Sequence, residues 1–476
     1  MIDNNALRAK RELLCRVAEL TFNGDLVEEI DKIPILRHPR GAQGLRCCIY
    51  KSRVITHYRL LAILGYPSEA MDEFRPLRDY AKEALTRRKA PEGPVLTIID
   101  DACSGCITNN YVVTDACRGC FARPCIVNCP KDAISMRGGK AYIDPDKCVR
   151  CGLCLKVCPY HAIVYVPIPC EEACPVGAIT KDDNGKEIID FDKCIFCGKC
   201  MVSCPFGAIM ERSQIIDVIA AIKSDKKVIA MIAPAVMGQF PYPAEKIAGA
   251  VKAVGFDDVW EVASGAEITS QNEAAELIEK VIKGKQKFLT TSCCPAYVEM
   301  VKKHVENLLP FVSHTKSPMH YTAEIVKAEV PEAITVFVSP CTAKRYEAEN
   351  DPLVDYVISI EELVAMFAAR QIEVNAVEPY SLKDTARTTG RGYPISGGVA
   401  SAVIAYAGND GSAIRHKVVN GINKTTLLQL KALDKLSKWD FNLLEAMTCE
   451  GGCIGGPDVL VGVKMSEKKI KAWIGT

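Results

Sequence analysis

Apolar residues along this chain fall into two rhythms. From Ala6 to Leu20 and from Val54 to Leu64 they recur every three or four positions, the spacing of one helix face. Pro34, Pro39, Gly41 and Gly44 break the interval between these stretches. After Ser213 the rhythm changes to short apolar runs separated by helical stretches. Lys227–Ala233, Val259–Val262, Phe288–Thr291, Thr335–Val338 and Tyr356–Ser359 read as strands. Ala244–Val254, Ala266–Ile282, Ala343–Glu349 and Ile360–Ala369 read as helices. That alternation predicts parallel α/β sheets, whose sites gather at the carboxyl ends of strands. Residues 97–212 show neither rhythm. Three regions are therefore expected: a helical 1–96, a loop-rich 97–212 and an α/β region at 213–476.

Cysteine explains the middle region. Sixteen of the chain's 24 cysteines lie between Cys103 and Cys204, the number that four 4Fe-4S cubanes need at four thiolates each. Cys148, Cys151, Cys154 and Cys158-Pro159 form a C-x2-C-x2-C-x3-C-P run in the manner of two-cluster ferredoxins, and Cys194, Cys197, Cys200 and Cys204-Pro205 form another. In such runs the fourth cysteine serves the neighbouring cluster. Cys117, Cys120 and Cys125 are therefore paired with Cys158, and Cys148, Cys151 and Cys154 with Cys129. Before the second run only Cys170 and Cys174 remain, the tail of a motif. Cys194, Cys197 and Cys200 are then expected to share a cluster with Cys174. Cys103, Cys106, Cys170 and Cys204 would hold a fourth. Structural zinc is the competing reading, but zinc requires neither the third ligand two residues on nor the Cys-Pro ending.

Charge and composition narrow the rest. The formal charge is +1, so no global field favours nucleic acid or an anionic membrane. No run of about 18 apolar residues is present to span a bilayer. The opening Met-Ile-Asp-Asn-Asn has no signal-peptide character, and so many thiols suit a reducing, anaerobic cytoplasm. Cys47 and Cys48 have no nearby partner pair and are expected to be buried structural thiols. Arg37, Arg40, Arg46, Lys51 and Arg53 surround them as a solvated face, or more sharply as a docking patch for an acidic partner.

Three motifs follow residue 213: Thr291-Ser-Cys-Cys-Pro-Ala-Tyr297, Ser339-Pro-Cys-Thr-Ala-Lys344 and Glu445-Ala-Met-Thr-Cys-Glu-Gly-Gly-Cys-Ile-Gly-Gly456. Cys294, Cys341, Cys449 and Cys453 make a further set of four, enough for a fifth cubane, and Cys293 is left over. Glycines around Cys453 would let the backbone approach a bulky group. In this order the motifs resemble those of the iron-only (FeFe) hydrogenases, over roughly residues 97 to 476. The resemblance implies a fold in which an H-cluster domain of two parallel-sheet lobes follows a ferredoxin-like α+β region and, in this chain, an α-helical N-terminal segment. It implies a cubane bridged by one cysteine to a two-iron subsite with carbonyl, cyanide and dithiolate ligands, the H-cluster. Cys453 would be the bridging thiolate. Cys293 would pass protons, with Glu273, Glu276 and Ser313 continuing the relay. Lys344 would bind a cyanide ligand, and Ala233, Pro234, Pro340 and Met447 would line the cofactor. The bland alternatives are solvated helix carboxylates for Glu273 and Glu276 and a surface lysine for Lys344.

The chain departs from the common pattern at Ala235, Ala296-Tyr297, Met319, Ser339 and Glu450, positions expected around the cofactor rather than on the metal. The implied activity is reversible reduction of protons to dihydrogen, with ferredoxin as electron carrier and maturation enzymes building the diiron subsite. Two alternatives stay open: a dihydrogen sensor on the same scaffold, and a hydrogenase-like iron–sulfur assembly protein that makes no diiron subsite.

Overall fold

The structure, a computed structural model, describes residues 4–42, 46–87, 89, 92–103, 106, 110–383, 386, 388–433 and 439–475; Gly44 lies outside them. The first region is helical, as its apolar spacing predicts. Helix α1 (Asn5–Asn23) starts where the Asn4 side chain accepts from the Ala6 and Leu7 amides, and ends at Gly24 with φ of 89°. It buries Leu13, Leu14 and Val17. Helices α2 (Ile49–Ile63) and α3 (Leu77–Thr86) complete this region's core through Leu60, Leu61, Leu77 and Tyr80.

Eight short strands organise the cysteine-rich region: β1 (Leu96–Ile98), β2 (Tyr111–Val113), β3 (Ile134–Arg137), β4 (Lys140–Ile143), β5 (Ile163–Tyr165), β6 (Ile179–Lys181), β7 (Glu187–Ile189) and β8 (Ile209–Glu211). They form four antiparallel pairs, β1 with β8, β2 with β5, β3 with β4 and β6 with β7. The sequence reading left little room for regular structure here. The pairs form because each cysteine loop is flanked by two or three alternating apolar residues, too few to register as a strand alone. Pairing of Leu96 with Glu211 brings the two ends of the region together.

Two parallel sheets follow. The first has the order β10 (Asp258–Glu261), β9 (Val228–Ile232), β12 (Ile334–Val338), β13 (Tyr356–Ile358), and the second the order β11 (Leu289–Thr290), β15 (Leu443–Met447), β14 (His416–Asn420). Every residue of β9 is buried, as a strand covered by helices on both faces requires. At about 1.5–3 kcal/mol for each large apolar side chain so buried, these central strands hold much of the core. Helix α4 (Ala263–Leu277) leads into a π-helical turn at Ile278–Ile282, and α5 (Pro295–His304), α6 (Pro318–Glu329), α7 (Ala343–Glu349) and α8 (Ile360–Ala369) cover the sheets.

The N-terminal helices are stitched to the rest by charge. Lys10 of α1 is buried, and its Nζ lies 2.9 Å from Glu211, 2.8 Å from Glu361 and 3.3 Å from Asp458. Burial opposes its charge, but the three carboxylates outweigh it and hold the ammonium well above its usual range. No described helix is long and apolar enough to cross a membrane.

Candidate active site

The sixteen clustered cysteines are brought together in sets. Cys117, Cys120, Cys125 and Cys158 line one cavity of about 330 Å³. Cys129, Cys148, Cys151 and Cys154 line another of about 350 Å³. Burial raises Cys200, and Cys197, Cys194 and Cys174 are near enough to add to the push. Cys170 is pushed up to about 12 by burial first, then by Glu187, Cys204 and Cys106. Cys103 is raised by burial and feels Cys204 as well. The stranded N-terminal pair thus sits beside Cys170 and Cys204. Among the described residues no three Cys, His, Asp or Glu side chains close on one point as a single ion requires. Thiols set around a cavity suit a cubane held at its corners. Cys47 and Cys48 correct the sequence reading: both are exposed, because they sit at the start of α2, where Cys48 Sγ accepts from the Lys51 amide.

A larger cavity, of about 780 Å³, opens between the two parallel sheets. It sits at the carboxyl ends of four strands. Ala233 and Pro234 follow β9, Cys293 and Cys294 follow β11, Ser339, Pro340 and Cys341 follow β12, and Met447, Thr448 and Cys449 end or follow β15. Strand ends leave side chains and backbone groups without a sheet partner, which is why sites collect there. Cys453 is the most open of the four outer thiols, and it opens into this cavity. Burial raises the thiols of Cys341 and Cys449, and each also feels Cys294 and Cys453. Metal binding would reverse that cost by taking the thiolate form.

The glycines around Cys453 have a packing role besides lining the cavity, as Gly452 and Gly456 do. Gly451 and Gly452 have φ of 86° and 87°, a region that disfavours other residues. A Cβ at Gly452 would lie 2.5 Å from Pro394 O, and one at Gly456 2.3 Å from Pro340 O. Tight packing of protein on protein, as well as access to the cavity, requires glycine here.

Cys293 is buried against α4. Burial raises its thiol well above the usual range, and Glu273 adds to the rise. Glu273 is fully buried and pushed up to about 8 by burial, so it holds its proton at neutral pH. Its Oε1 accepts from the Ser292 amide at 2.9 Å and lies 3.2 Å from Ser292 Oγ; Oε2 is buried without a partner among the described residues. Glu276, one turn on, is in a different setting. Ser313 Oγ donates to it at 2.6 Å, Lys280 Nζ at 2.6 Å, and His314 Nδ1 lies 2.8 Å away. Burial opposes its charge, but Lys280, Ser313 and His314 outweigh that and lower its pKa. No direct hydrogen bond joins Glu273 to Ser313 among the described residues; Ser292 Oγ reaches the Thr315 carbonyl at 2.8 Å instead.

Lys344 is buried and lines the cavity, so it is no surface lysine. Its Nζ donates to Ser317 Oγ at 2.8 Å and Glu347 Oε2 at 2.6 Å. Of the departures, Ala235, Met319 and Ser339 line the cavity, Ala296 and Tyr297 are buried in neighbouring cores, and Glu450 is exposed. Sequence reasoning passed over Ser292, Thr448 and Tyr393. Ser292 and Thr448 adjoin motif cysteines and could have been found by that adjacency. Tyr393, which lines the cavity with its hydroxyl 3.2 Å from Ser270 Oγ, carries no motif signal.

Comparison with known proteins meets this geometry. Residues 226–457 match the iron-only hydrogenase large subunit, C-terminal domain, and residues 141–164 and 187–210 each match a 4Fe-4S binding domain. The chain is thus an iron–sulfur protein. It is 28% identical over 256 residues to iron hydrogenase 1 of Clostridium pasteurianum, covering 44% of each protein. It is 30% identical over 115 residues to a cytosolic Fe-S cluster assembly factor of Eremothecium gossypii, covering 24% of this chain and 26% of that one. An FeFe-hydrogenase structure from Chlamydomonas reinhardtii superposes with a TM-score of 0.42 at 20% identity, over 53% of this chain and 85% of that one. The chain spans about half the length of the curated relatives it matches, from 44% to 70% for the first three.

Proposed function

We propose, for a chain that is a divergent member of the iron-only hydrogenase family, that it reversibly reduces protons to dihydrogen with electrons from ferredoxin or a similar one-electron carrier. In this reading residues 97–212 hold four 4Fe-4S clusters in the sets described, 213–476 form the H-cluster domain, and 1–96 a helical segment. Cys294, Cys341, Cys449 and Cys453 hold the fifth cubane, Cys453 as the bridge. The bound diiron subsite, built by maturation enzymes, supplies the metal centre at which protons and electrons combine.

The observation that carries this reading is the cavity. It has about 780 Å³, against about 330 and 350 Å³ for the two four-cysteine pockets, so it has room for a second group beside a cubane. A fifth thiol, Cys293, lines it next to a buried acid. Ala233, Pro234, Pro340 and Met447 keep water from the space. Lys344 presents a fixed cation, oriented by Ser317 and Glu347. Cys293 holds a proton at Sγ beside the cavity, and Glu273, protonated at neutral pH, replenishes it. Glu276 collects the proton at the surface beside His314 and passes it to Ser313, from which a bridging water carries it to Glu273 in this reading.

The assembly-protein reading draws on the relative from Eremothecium gossypii. It needs the cubane but no room beyond it. An infrared spectrum of protein co-expressed with maturation enzymes and purified without oxygen separates the two. Carbonyl and cyanide bands are expected. Their absence, with cubane iron complete, would overturn the hydrogenase and favour assembly. Bands without turnover would favour a dihydrogen sensor.

A further inference from the structure

The N-terminal helices build a second concavity that the proposed reaction does not use. It lies where α1 and α2 meet the Pro205-Phe206 turn after Cys204, and is an open concavity of about 1210 Å³ counted with the solvent at its mouth. Arg37, Arg46, Lys51 and Arg59 line it, His38 adds a fifth basic group, and no lining residue is acidic. The chain as a whole carries only +1, so this is a local concentration of charge. The first turns of α1 and α2, helices of 19 and 15 residues, form part of the wall and add the positive ends of their dipoles.

Arg59 makes this more than a basic face. It is 5% exposed, yet among the described residues its guanidinium pairs with no carboxylate. Its Nη2 donates only to the backbone carbonyls of Phe206 at 3.3 Å and Gly207 at 3.1 Å. Arg46 likewise donates to Phe206 O, at 2.9 Å. Arg37 pairs with Glu12 at 2.7 Å. Burial lowers Arg59 to about 10, with Arg46 and Arg37 adding to the drop and Cys204 opposing it. His38 is lowered by burial first, then by Arg37, with Arg53 and Arg59 adding to the drop and Glu12 opposing it. Buried charges are ordinarily paired, and among the described residues neither Arg59 nor Arg46 has a carboxylate; Cys204 is the anionic group that acts on Arg59.

We propose that this pocket binds a small phosphate-bearing anion of the di- or triphosphate class. Guanidinium forks match phosphate oxygens two at a time. The depth of Arg59 admits a slender charged group, and the space exceeds what a lone ion needs. The proposal stands independently of the hydrogenase reading, since no residue of the large cavity takes part.

The test is calorimetric titration of the cluster-loaded full chain with inorganic pyrophosphate. Saturable one-site binding is expected, weakened by raised salt. Arg59→Gln and Arg46→Gln should each weaken it about tenfold or more, as loss of a charge-assisted hydrogen bond implies. Should Arg59→Gln not fold, Arg46→Gln and the rim change Lys51→Gln carry the test. No saturable heat, or unchanged affinity in these variants, would overturn the proposal. If pyrophosphate fails to bind while Arg59→Gln shifts the midpoint potential of a cluster followed by EPR, Arg59 is a counter-charge for the cluster at Cys204. If only binding of an acidic ferredoxin is lost, the face is a protein dock. Either result displaces the small-anion site.

Discussion

Two kinds of cavity in this molecule start from four cysteines and end differently. The pocket of Cys129, Cys148, Cys151 and Cys154 draws three thiols from one seven-residue run, and its walls are completed by Pro130, Lys131, Ala133, Ile134, Ile143 and Tyr111 of the same cysteine-rich region. A short loop wrapped on itself closes tightly, and space remains for one cubane. The cavity of Cys294, Cys341, Cys449 and Cys453 takes its thiols from the ends of β11, β12 and β15, in two different sheets. Strand ends of two separate sheets leave a wider gap than one loop can, and Cys293, beside Cys294 after β11, and Lys344, at the start of α7, line it as well. A local motif makes a holder for a cluster; a tertiary junction makes a chamber with chemistry around the cluster.

Three changes test that contrast. The largest effect is expected from Cys293→Ala, since this thiol belongs to the chamber and to none of the cubane sets. Turnover should fall by about 10²- to 10⁴-fold, the usual worth of a positioned acid–base group, with iron per chain unchanged; a normal rate would dissolve the distinction. Glu273→Gln should act next, and through pH. The Glu273 pKa of about 8 lies above that of an unfolded carboxyl, so the native state binds the extra proton. That stability is fully present below the unfolded value and is lost as pH rises through about 8. Wild-type thermal stability should therefore decline between about pH 4.5 and 8 and level off above, while turnover falls as Glu273 loses its proton near pH 8, and Glu273→Gln should flatten the stability limb while slowing turnover. An alkaline limb that persists in the variant would assign it elsewhere. The smallest effect on the chamber is expected from the double change Cys103→Ala and Cys106→Ala. It should remove about four irons while carbonyl and cyanide bands stay in place; unchanged iron would mean those cysteines hold nothing.

Legibility followed the same division. Strands β9, β12 and β13 were readable because strands buried on both faces appear as unbroken apolar runs. β14 and β15 were not. His416-Lys-Val-Val-Asn420 is an edge strand with exposed positions, and Leu443-Leu-Glu-Ala-Met447 carries a charge at its centre. That charge has a purpose beyond the strand: Glu445 is fully buried and accepts from the Gly397 and Ala400 amides at 2.6 and 2.8 Å, capping the helix at Gly398–Tyr406. The thiol sets could be read from spacing because local motifs carry their geometry with them. Tyr393 could not, because it meets α4 only through the tertiary fold, at Ser270. The exposed Cys47 and Cys48 defeated a rule about average burial, since a helix start can hold a polarisable sulfur at the surface.

The buried Lys10 hub bears on what loss of the N-terminal helices would do. Three acids from widely separated parts of the chain, Glu211, Glu361 and Asp458, surround a cation supplied by the first helix, with Arg11 also on Glu361 and Arg345 4.0 Å from Glu211. Removing one member of a buried ionic cluster costs about 3–5 kcal/mol, because the others stay buried unpaired. A chain without these helices would lose both Lys10 and Arg11 and leave buried acids to be compensated, so the N-terminal segment is tied by charge to the stability of the region it covers.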